Sequence, residues 1–537
     1  MERVLFRNVQ LLQGSHHGSL MNAVLIDDHR VEWIGSTREI PDTSVDKIIE
    51  CDGATLMRGL HDAHMHFLAY AASLDDLDCQ GADSIAALQH LIQHRAVTAQ
   101  SGLWVRGRGY DEFRLDEKRH PNRYDLDIGA LDTPVRLDHR SGHACVLNSA
   151  GLERVGVGPN TPDPPEGFIE RDEEGTPTGL LIELNSYVSE RMAERRDEIA
   201  MRHAISHASQ NLLSWGVTSF EDASIDNTIT RWEALLHYQG EGVVQQSITL
   251  MPGIQNLEEF ARKSMAYGSV GSIFDRRTTS PLHSREHSSL GGAGQKITTV
   301  RLGHAKIVVT LTTGSLYPPT ETLKEMIMTA HRLGFPVAVH AVEEEVILNV
   351  LEVVRQCQLS EPQHLVVKDR VEHCSEATPP VLAMLKETGV VVCTNPQFLH
   401  VSGERYRSEV PPEVLPWLYP LRSLLQTGNR ILVGSDAPVV SPDPWQGIYA
   451  AVTRKDMTGE ALSPEQSVSL EQALLLYQNP RGDQGLSQPK LLEPAKGNQI
   501  VVGDEANLVV LDRDVMVEDR RQILGTRAIF NVAARDW

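Results

Sequence analysis

The sequence between about residue 200 and residue 434 alternates short apolar segments with longer segments of helical periodicity. Helical patterns at Ala204 to Trp215, Glu321 to Leu333 and Glu344 to Cys357 separate segments that have strand character. With the apolar approach Thr55 to Met57 in front of His64, the candidate strands number eight. The other seven lie at 216–220, 243–250, 300–310, 336–341, 370–374, 390–394 and 430–434. Eight alternating β and α units predict an α/β chain that forms a (β/α)8 TIM barrel, whose chemistry lies at the C-terminal ends of its strands.

Both ends of the chain lack this alternation and show short strand patterns with turns. We therefore expect a small β-sandwich domain built from residues 1–56 and 490–537, and a barrel of residues 57–489. A segment at about 68–200 interrupts the alternation after the first strand, and we expect it to be an insertion that caps the site. The polar stretch Ser269 to Lys296 predicts a long loop that closes over the substrate.

The net charge and the cysteine content limit which classes of partner and which cellular compartment the sequence favours. The net charge of −22 argues against a nucleic-acid or anionic-membrane partner. The six cysteines are scattered without CxxC spacing, which is typical of a reducing compartment. No apolar stretch is long enough to span a bilayer, and no signal-peptide core follows Met1. We therefore expect a cytoplasmic protein with neither a nucleic-acid nor a membrane partner.

Side chains that bind metals or transfer protons recur where the predicted strands end. His64 and His66 are separated by one residue, so an extended strand presents both imidazoles on one face. Neutral imidazole nitrogen is a good ligand for zinc and related ions. The later strands add Lys306 on the fourth, His340 on the fifth, His373 on the sixth and Asp436 after the eighth. A functional role explains any one of these residues no better than a simple structural role, as a buried, hydrogen-bonded side chain or a turn residue. Six such residues on one face indicate a metal centre.

These features together resemble the amidohydrolase superfamily and, within it, the amidohydrolase-3 group, which includes metal-dependent hydrolases of the N-substituted formamide deformylase type. The segment from Ala23 to His66 is similar to the β-rich segment that leads to the His-x-His motif of that group. The resemblance extends over essentially the whole chain and includes the segments 104–109, 178–181, 216–219, 433–436 and 506–512.

The resemblance implies that the six side chains hold one or two divalent cations per chain, with Zn²⁺ expected. The implied ligand sets are His64, His66 and Asp436 for the first cation and His340 and His373 for the second. Lys306 fits this set as the carbamate that it forms with carbon dioxide, because the reaction converts a repelling ammonium into an anionic oxygen ligand. The alternative is a single cation, with Lys306 paired to a carboxylate beside it.

The implied reaction is hydrolysis of a C–N bond in a small-molecule amide, N-substituted formamide, carbamate or cyclic amide. Water on the cation has a lowered pKa and attacks the carbonyl, while Asp436 accepts its proton as general base and later delivers it to the leaving amine. His143 is a candidate donor to the developing oxyanion. Glu183 and Asp222 are candidate additional ligands, although supporting or structural roles account for them better.

Two other functions stay open. The same site would hydrolyse an ester, a lactone or an imine-type bond with the same water. Outside the enzymes, the alternative is a catalytically silent barrel that serves as an assembly module. Such relatives generally lose metal ligands, whereas this chain keeps the full set. Dimers are common in the superfamily, so a homodimer is possible for this chain. The sequence itself shows no interface.

Overall fold

A computed structural model describes most of the 537-residue chain. The described residues are 3–12, 21–27, 30–42, 44–98, 103–192, 198–271, 300–311, 314–360, 367–478 and 499–532. The predicted loop Ser269 to Lys296 lies outside them from residue 272 onwards.

The first part of the chain is rich in short strands. These are β1 (Arg3–Arg7), β2 (Gln10–Leu11), β3 (Ala23–Asp27), β4 (Arg30–Gly35), β5 (Lys47–Glu50), β6 (Thr55–Arg58), β7 (Leu60–Met65), β8 (Leu77–Asp78), β9 (Val105–Tyr110), β10 (Val135–His139), β11 (Ala144–Leu147), β12 (Phe168–Arg171) and β13 (Pro177–Ile182). The helices are α1 (Phe67–Ser73), α2 (Ile85–Thr98), α3 (Arg123–Gly129), α4 (Ser149–Val155), α5 (Asn185–Arg191) and α6 (Glu198–Ser214).

The second part alternates strands with longer helices. Its strands are β14 (Val217–Asp222), β15 (Ser247–Leu250), β16 (Val270–Gly271), β17 (Val300–Leu302), β18 (Ala305–Val308), β19 (Val337–Ala341), β20 (Arg370–His373), β21 (Val391–Thr394), β22 (Ile431–Val433), β23 (Leu508–Leu511) and β24 (Ala528–Asn531). Its helices are α7 (Ile229–Gly240), α8 (Leu257–Arg262), α9 (Thr320–Arg332), α10 (Glu344–Ser360), α11 (Pro379–Thr388), α12 (Gln397–Glu409), α13 (Leu421–Gln426), α14 (Pro444–Thr453) and α15 (Leu470–Leu476).

Two five-stranded sheets contain the predicted barrel strands. Their strand orders are β16-β17-β15-β14-β7 and β18-β19-β20-β21-β22. Neighbouring strands are parallel throughout the second sheet, and in the first they are parallel from β17 to β7. The predicted fourth strand is interrupted at Gly303 and His304, so β17 pairs with strand three and β18 pairs with strand five. The predicted α/β class and the parallel strand order are therefore confirmed.

The strands of these two sheets are buried because helices cover the outer face. Val337, Val339, Val371, Val392 and Ile431 are almost fully inaccessible to solvent. Parallel strands that are buried on both faces form continuous apolar runs, which explains why the sequence pattern identified them. They share one large hydrophobic core with the apolar faces of the surrounding helices. Within the described residues, no helix combines the length and apolar character needed to cross a membrane.

Strands from both ends of the chain form two four-stranded sheets. Their orders are β4-β3-β1-β5 and β2-β6-β23-β24. Strand β23 pairs with β6 in antiparallel fashion, with Val509 opposite Met57. Buried side chains of both sheets, including Phe6, Leu56 and Leu508, belong to one hydrophobic cluster. The N-terminal and C-terminal segments therefore share a core, while the exact domain boundaries stay a prediction.

The segment between β7 and α6 contains a third unit that the sequence pattern did not predict as a sheet. Its six strands have the order β12-β13-β11-β10-β9-β8, and they mix parallel and antiparallel pairs. Strand β9 reads Val105-Arg-Gly-Arg-Gly-Tyr110, so arginine and glycine break up the apolar pattern that would reveal a strand. The unit has hydrophobic clusters of its own.

A substitution in β23 tests whether the C-terminal strand contributes to the shared core. Leu508 is fully buried, so Leu508→Ala should lower the free energy of unfolding by about 2–5 kcal/mol. The matched control is Ile529→Ala in the neighbouring β24, because Ile529 is 60% exposed and its loss should cost under about 0.5 kcal/mol. Denaturant unfolding measures both. Equal values for the two variants would contradict the shared core.

Candidate metal centre

Three side chains from strands far apart in the sequence converge at one point. His64 on β7, His373 at the end of β20 and Asp436 just after β22 bring their ligand atoms within 4.8 Å of one another. The Nε2 atom of His64 lies 3.4 Å from Oδ1 of Asp436. All three lie at the carboxyl ends of parallel strands, where the sequence analysis placed the chemistry.

The other three predicted ligands border this group. His66 Nε2 lies 3.1 Å from Oδ1 of Asp436. The Lys306 amine lies 3.5 Å from Nε2 of His64. The ring of His340 lies 4.5 Å from the ring of the β20 histidine, measured between centroids. The structure thus brings all six predicted side chains together.

Backbone hydrogen bonds between the end of β7 and the segment after β22 set this geometry. The Asp436 N–H donates to the His64 carbonyl at 2.7 Å. Two residues further along the first segment and one further along the second, the His66 N–H donates to the Ala437 carbonyl at 2.8 Å. The first and last predicted barrel strands are therefore neighbours exactly where they carry their ligands.

Asp62 and Gly434 hold the same two segments close. The buried Asp62 carboxylate accepts from the backbone N–H of His64 at 3.1 Å and from that of Ser435 at 3.0 Å. A Cβ atom on Gly434 would lie 2.5 Å from the Cβ of His64, which is too close for any side chain. The approach of the two strands therefore requires glycine at this position.

Three residues at the site have a left-handed backbone conformation. The φ angle is 67° at His373, 63° at Asp436 and 58° at Glu183. Residues with a Cβ rarely adopt this conformation, since the side chain crowds the backbone. Outliers of this kind concentrate at functional sites, where the surrounding structure holds them in place.

The inner histidines have their Nδ1 atoms engaged by the protein. Nδ1 of His64 hydrogen-bonds to the carboxylate of Glu372. Nδ1 of His373 donates to Oδ1 of Asn395 at 2.8 Å, and the Asn395 amide donates in turn to a carbonyl at 2.7 Å, which fixes its orientation. Nδ1 of His66 lies 3.1 Å from a serine hydroxyl, that of Ser224. Each Nε2 atom is consequently the one left to bind a ligand.

The electrostatics place these groups in the forms that bind metals. Burial lowers the pKa of His64 to about 3, and burial also lowers the pKa of His340, of His373 and of Lys306. Burial opposes ionisation of Asp436, but its hydrogen bond to His66 and the neighbouring imidazoles lower its pKa well below the usual range. Neutral imidazoles beside a carboxylate are a donor set for a divalent cation such as Zn²⁺, so the residues present fit the predicted metal.

His143 lies beside this group and forms a pair with Glu183. Its Nδ1 lies 3.0 Å from the Glu183 carboxylate, and its ring centroid is 5.9 Å from that of His340. The Glu183 N–H also donates to the His143 carbonyl at 2.7 Å. Burial opposes protonation of His143, but the hydrogen bond and the charge of Glu183 raise its pKa above the usual value. The segment between β7 and α6 therefore brings an imidazole whose protonation Glu183 favours to the edge of the candidate metal centre.

The structure gives Asp222 a different environment. Its Oδ2 accepts from the backbone N–H of Phe67 at 3.0 Å, and its Oδ1 accepts from Ser224 N at 3.1 Å and from the Asn227 amide at 2.9 Å. Through these hydrogen bonds the carboxylate joins the end of β14 to the start of α1. Asp222 is thus engaged as an acceptor of structural hydrogen bonds.

A second group of potential ligands joins the insertion to α12. Nε2 of His139 lies 2.6 Å from Glu112, and Asp111 lies beside them. Arg405 of α12 lies 2.8 Å from the Glu112 carboxylate and 3.3 Å from that of Asp111. Since arginine already compensates these charges, the group connects the insertion to the parallel sheets and offers no open cation site.

Several residues at the metal centre have no role in the sequence prediction. They are Asp62, Arg370, Glu372 and Asn395. Two of them had a readable signal, because Arg370 and Glu372 are charged residues two positions apart within a short strand that is otherwise apolar or metal-binding. Charged side chains inside a buried strand are rarely there for packing. Asn395 offers no comparable signal.

Comparison with known sequences identifies related proteins. A sequence profile described as "Amidohydrolase family" matches residues 47–532. N-substituted formamide deformylase from Arthrobacter pascens is 28% identical over 542 aligned residues, which cover 96% of this chain and 94% of the relative. The putative amidohydrolase YtcJ from Bacillus subtilis (strain 168) is 23% identical over 534 residues, which cover 94% and 93%.

Two solved structures resemble the chain along nearly its whole length. An uncharacterized metal-dependent hydrolase from Pyrococcus horikoshii OT3 has a TM-score of 0.69 at 20% identity, with 97% of this chain and 99% of the other covered. One from Pyrococcus furiosus has a TM-score of 0.65 at 23% identity, with 95% and 99% covered. The likeness concerns the fold, which in these hydrolases is a TIM barrel of mixed α/β content.

Proposed function

This chain belongs to the amidohydrolase family, and from that premise we propose that it is a metal-dependent hydrolase of C–N bonds in small molecules. The observation that carries the proposal is the convergence of His64, His373 and Asp436 within 4.8 Å, with the other predicted ligands beside them. The substrates we propose are amides, N-substituted formamides, carbamates and cyclic amides. The relative that is an N-substituted formamide deformylase favours the formamides among them.

The residues that would hold the cations are those of the predicted sets. They are His64, His66 and Asp436 for one cation, and His340 and His373 for a second. A bound divalent cation supplies a Lewis acid for the carbonyl group and lowers the pKa of water at the site. Zn²⁺ suits a set dominated by imidazole nitrogen.

Lys306 is the residue that decides between one cation and two. Its side chain is buried, and within the described residues it has no carboxylate within ion-pair distance, so the salt-bridged alternative lacks a partner. Burial lowers the pKa of its amine. An unprotonated amine is the form that adds carbon dioxide, and the carbamate would place anionic oxygens next to His64. We therefore propose Lys306 as the carbamylated residue.

Asp436 is proposed as the general base and then the general acid. Its lowered pKa keeps it ionised and able to accept the proton of the attacking water. Its Oδ1 lies within 3.4 Å of two imidazoles, which hold the carboxylate in place without neutralising it. The proton that it gains then passes to the departing amine nitrogen.

His143 is proposed as the donor to the carbonyl oxygen. Because its Nδ1–H is directed to Glu183, donation to substrate has to come from Nε2–H, and this requires the doubly protonated ring. Glu183 favours that form. Charge that develops on the carbonyl oxygen would then meet a cationic donor.

The finer architecture also belongs to the proposal. We propose that the two parallel sheets close into a single (β/α)8 barrel through the hydrogen bonds between the end of β7 and the segment after β22. We keep residues 1–56 and 490–537 as one sandwich domain. The homodimer and the cytoplasmic location stay predictions, and ester, lactone or imine hydrolysis stays the second candidate because the same groups would serve it.

Metal content is the first test. Protein produced with Zn²⁺ and bicarbonate should contain about two cations per chain by plasma mass spectrometry, and Lys306→Met should contain about one, since the anionic ligand that the carbamate would supply is lost. About one cation in both proteins would contradict the carbamate. A wild-type chain that retains no cation would favour the silent barrel.

Asp436→Asn tests the proton acceptor. The amide cannot accept the proton, so kcat on an N-substituted formamide should fall by about 100- to 10,000-fold while the histidines retain the cation. Asp226→Asn, in which an exposed carboxylate is neutralised in the same way, serves as the control and should keep its activity. Substantial turnover by Asp436→Asn would remove the assigned role.

The pH profile of kcat/KM tests the His143–Glu183 pair. Activity should decline at high pH as His143 loses its proton. Glu183→Gln removes the negative charge that raises the pKa of His143, so this alkaline limb should move to lower pH. An unchanged limb in Glu183→Gln, or full turnover by His143→Ala, would contradict the donor role.

A further inference from the structure

We propose that Glu372, held in place by Arg370, is a positioning residue that fixes the tautomer of His64 and thereby the affinity of the site for its cation. The inference rests on the proposed metal-dependent function and deepens it. Glu372 is not among the ligands proposed for either cation. Glu372 lies one residue before His373, so β20 supplies both a ligand and the support of another ligand.

The contact between Glu372 and His64 is the first element of the argument. A carboxylate of Glu372 hydrogen-bonds to Nδ1 of His64, and both side chains are at most 1% exposed. An ionised carboxylate only accepts hydrogen bonds, so the proton must reside on Nδ1. The lone pair is then on Nε2, which is the atom that lies 3.5 Å from Lys306 and 3.4 Å from Asp436.

Arg370 keeps Glu372 ionised and in position. Its Nη2 lies 3.0 Å from Oε2 of Glu372, its Nε also pairs with this carboxylate, and it donates to the carbonyl of Ala63 beside His64. Its Nη1 donates to Glu221 at 2.9 Å, and Glu221 lies 3.1 Å from Nε2 of His61. A chain of buried charges therefore runs across the interior of the parallel sheets beneath the metal centre.

Stability alone does not explain this set of buried charges. Glu221, Arg370 and Glu372 are at most 3% exposed, and well-packed apolar side chains often replace a buried ion pair without loss of stability. The core of a barrel is normally filled by branched apolar residues. The direct contact with a ligand gives the charges a purpose that packing does not.

The other inner ligands provide an internal comparison. Nδ1 of His373 meets the neutral amide of Asn395, and Nδ1 of His66 meets the neutral hydroxyl of Ser224. Among these three described histidines, His64 is the one whose Nδ1 is bonded to a carboxylate. A carboxylate behind a ligating imidazole raises its basicity and orients its ring, and its loss typically lowers metal affinity by about 10- to 100-fold.

Glu372→Gln is the direct test, with Glu221→Gln as the matched control. Glutamine can present its NH₂ to Nδ1, which moves the proton of His64 to Nε2 and blocks the ligand atom. The affinity for Zn²⁺, measured by competition with a chromophoric chelator, should therefore fall by about 10- to 100-fold in Glu372→Gln. Glu221→Gln removes the same charge from the residue on the other side of Arg370. The affinity of this variant for Zn²⁺ should stay close to that of the wild type.

The melting temperature of the metal-free proteins separates positioning from folding. A wild-type chain that binds no Zn²⁺ overturns both the proposed function and this inference. Wild-type affinity in Glu372→Gln, or equal losses in both variants, overturns the inference alone. Where Glu372→Gln does not fold, the triple variant Glu221→Gln/Arg370→Met/Glu372→Gln removes the three linked charges together, so that neither carboxylate loses its arginine while still charged. It should show the same loss of affinity.

Discussion

The structure of this site depends on the pairing between the end of β7 and the segment that follows β22. Two backbone hydrogen bonds, of 2.7 and 2.8 Å, align His64 and His66 with Asp436. Asp62 reinforces the pairing from the side-chain level, and Gly434 allows it because no Cβ fits there. A shift of one residue would turn the ligands to the other face of a strand, so the register of this junction is inseparable from the chemistry.

Burial then determines the protonation state of the groups that this junction assembles. Removing imidazoles and an amine from water disfavours their cationic forms, which suits them to a cation as ligands. The same environment would also discourage ionised carboxylates, yet Asp436 and Glu372 have lowered pKa values because cationic or hydrogen-bonding partners face them. Burial thus favours the neutral forms of the imidazoles and the amine, whereas specific partners keep the two carboxylates ionised in spite of burial. The site needs both effects.

The sequence predicted the parts of this arrangement that follow from periodicity. Apolar runs such as Val337–Ala341 and Val391–Thr394 are recognisable because both faces of a parallel strand are buried, and residues at their ends fall automatically on the reactive face. The six-stranded insertion sheet escaped prediction because its pairing is non-local and its β9 contains two glycines and two arginines. Asn395 escaped it because an isolated asparagine after a strand is compatible with any turn.

The residues with proposed roles in the reaction come from two different parts of the chain. The parallel strands provide the proposed ligands and the proposed proton acceptor, whereas His143 and Glu183 come from the segment between β7 and α6. Asp111 and Glu112 of that segment pair with Arg405 of α12. Chemistry on a barrel is set by groups at the strand ends, while contacts to the rest of a substrate come from the segments above them. Substitutions in the segment between β7 and α6 could therefore alter the contacts to a substrate and leave the junction between β7 and the segment after β22 undisturbed.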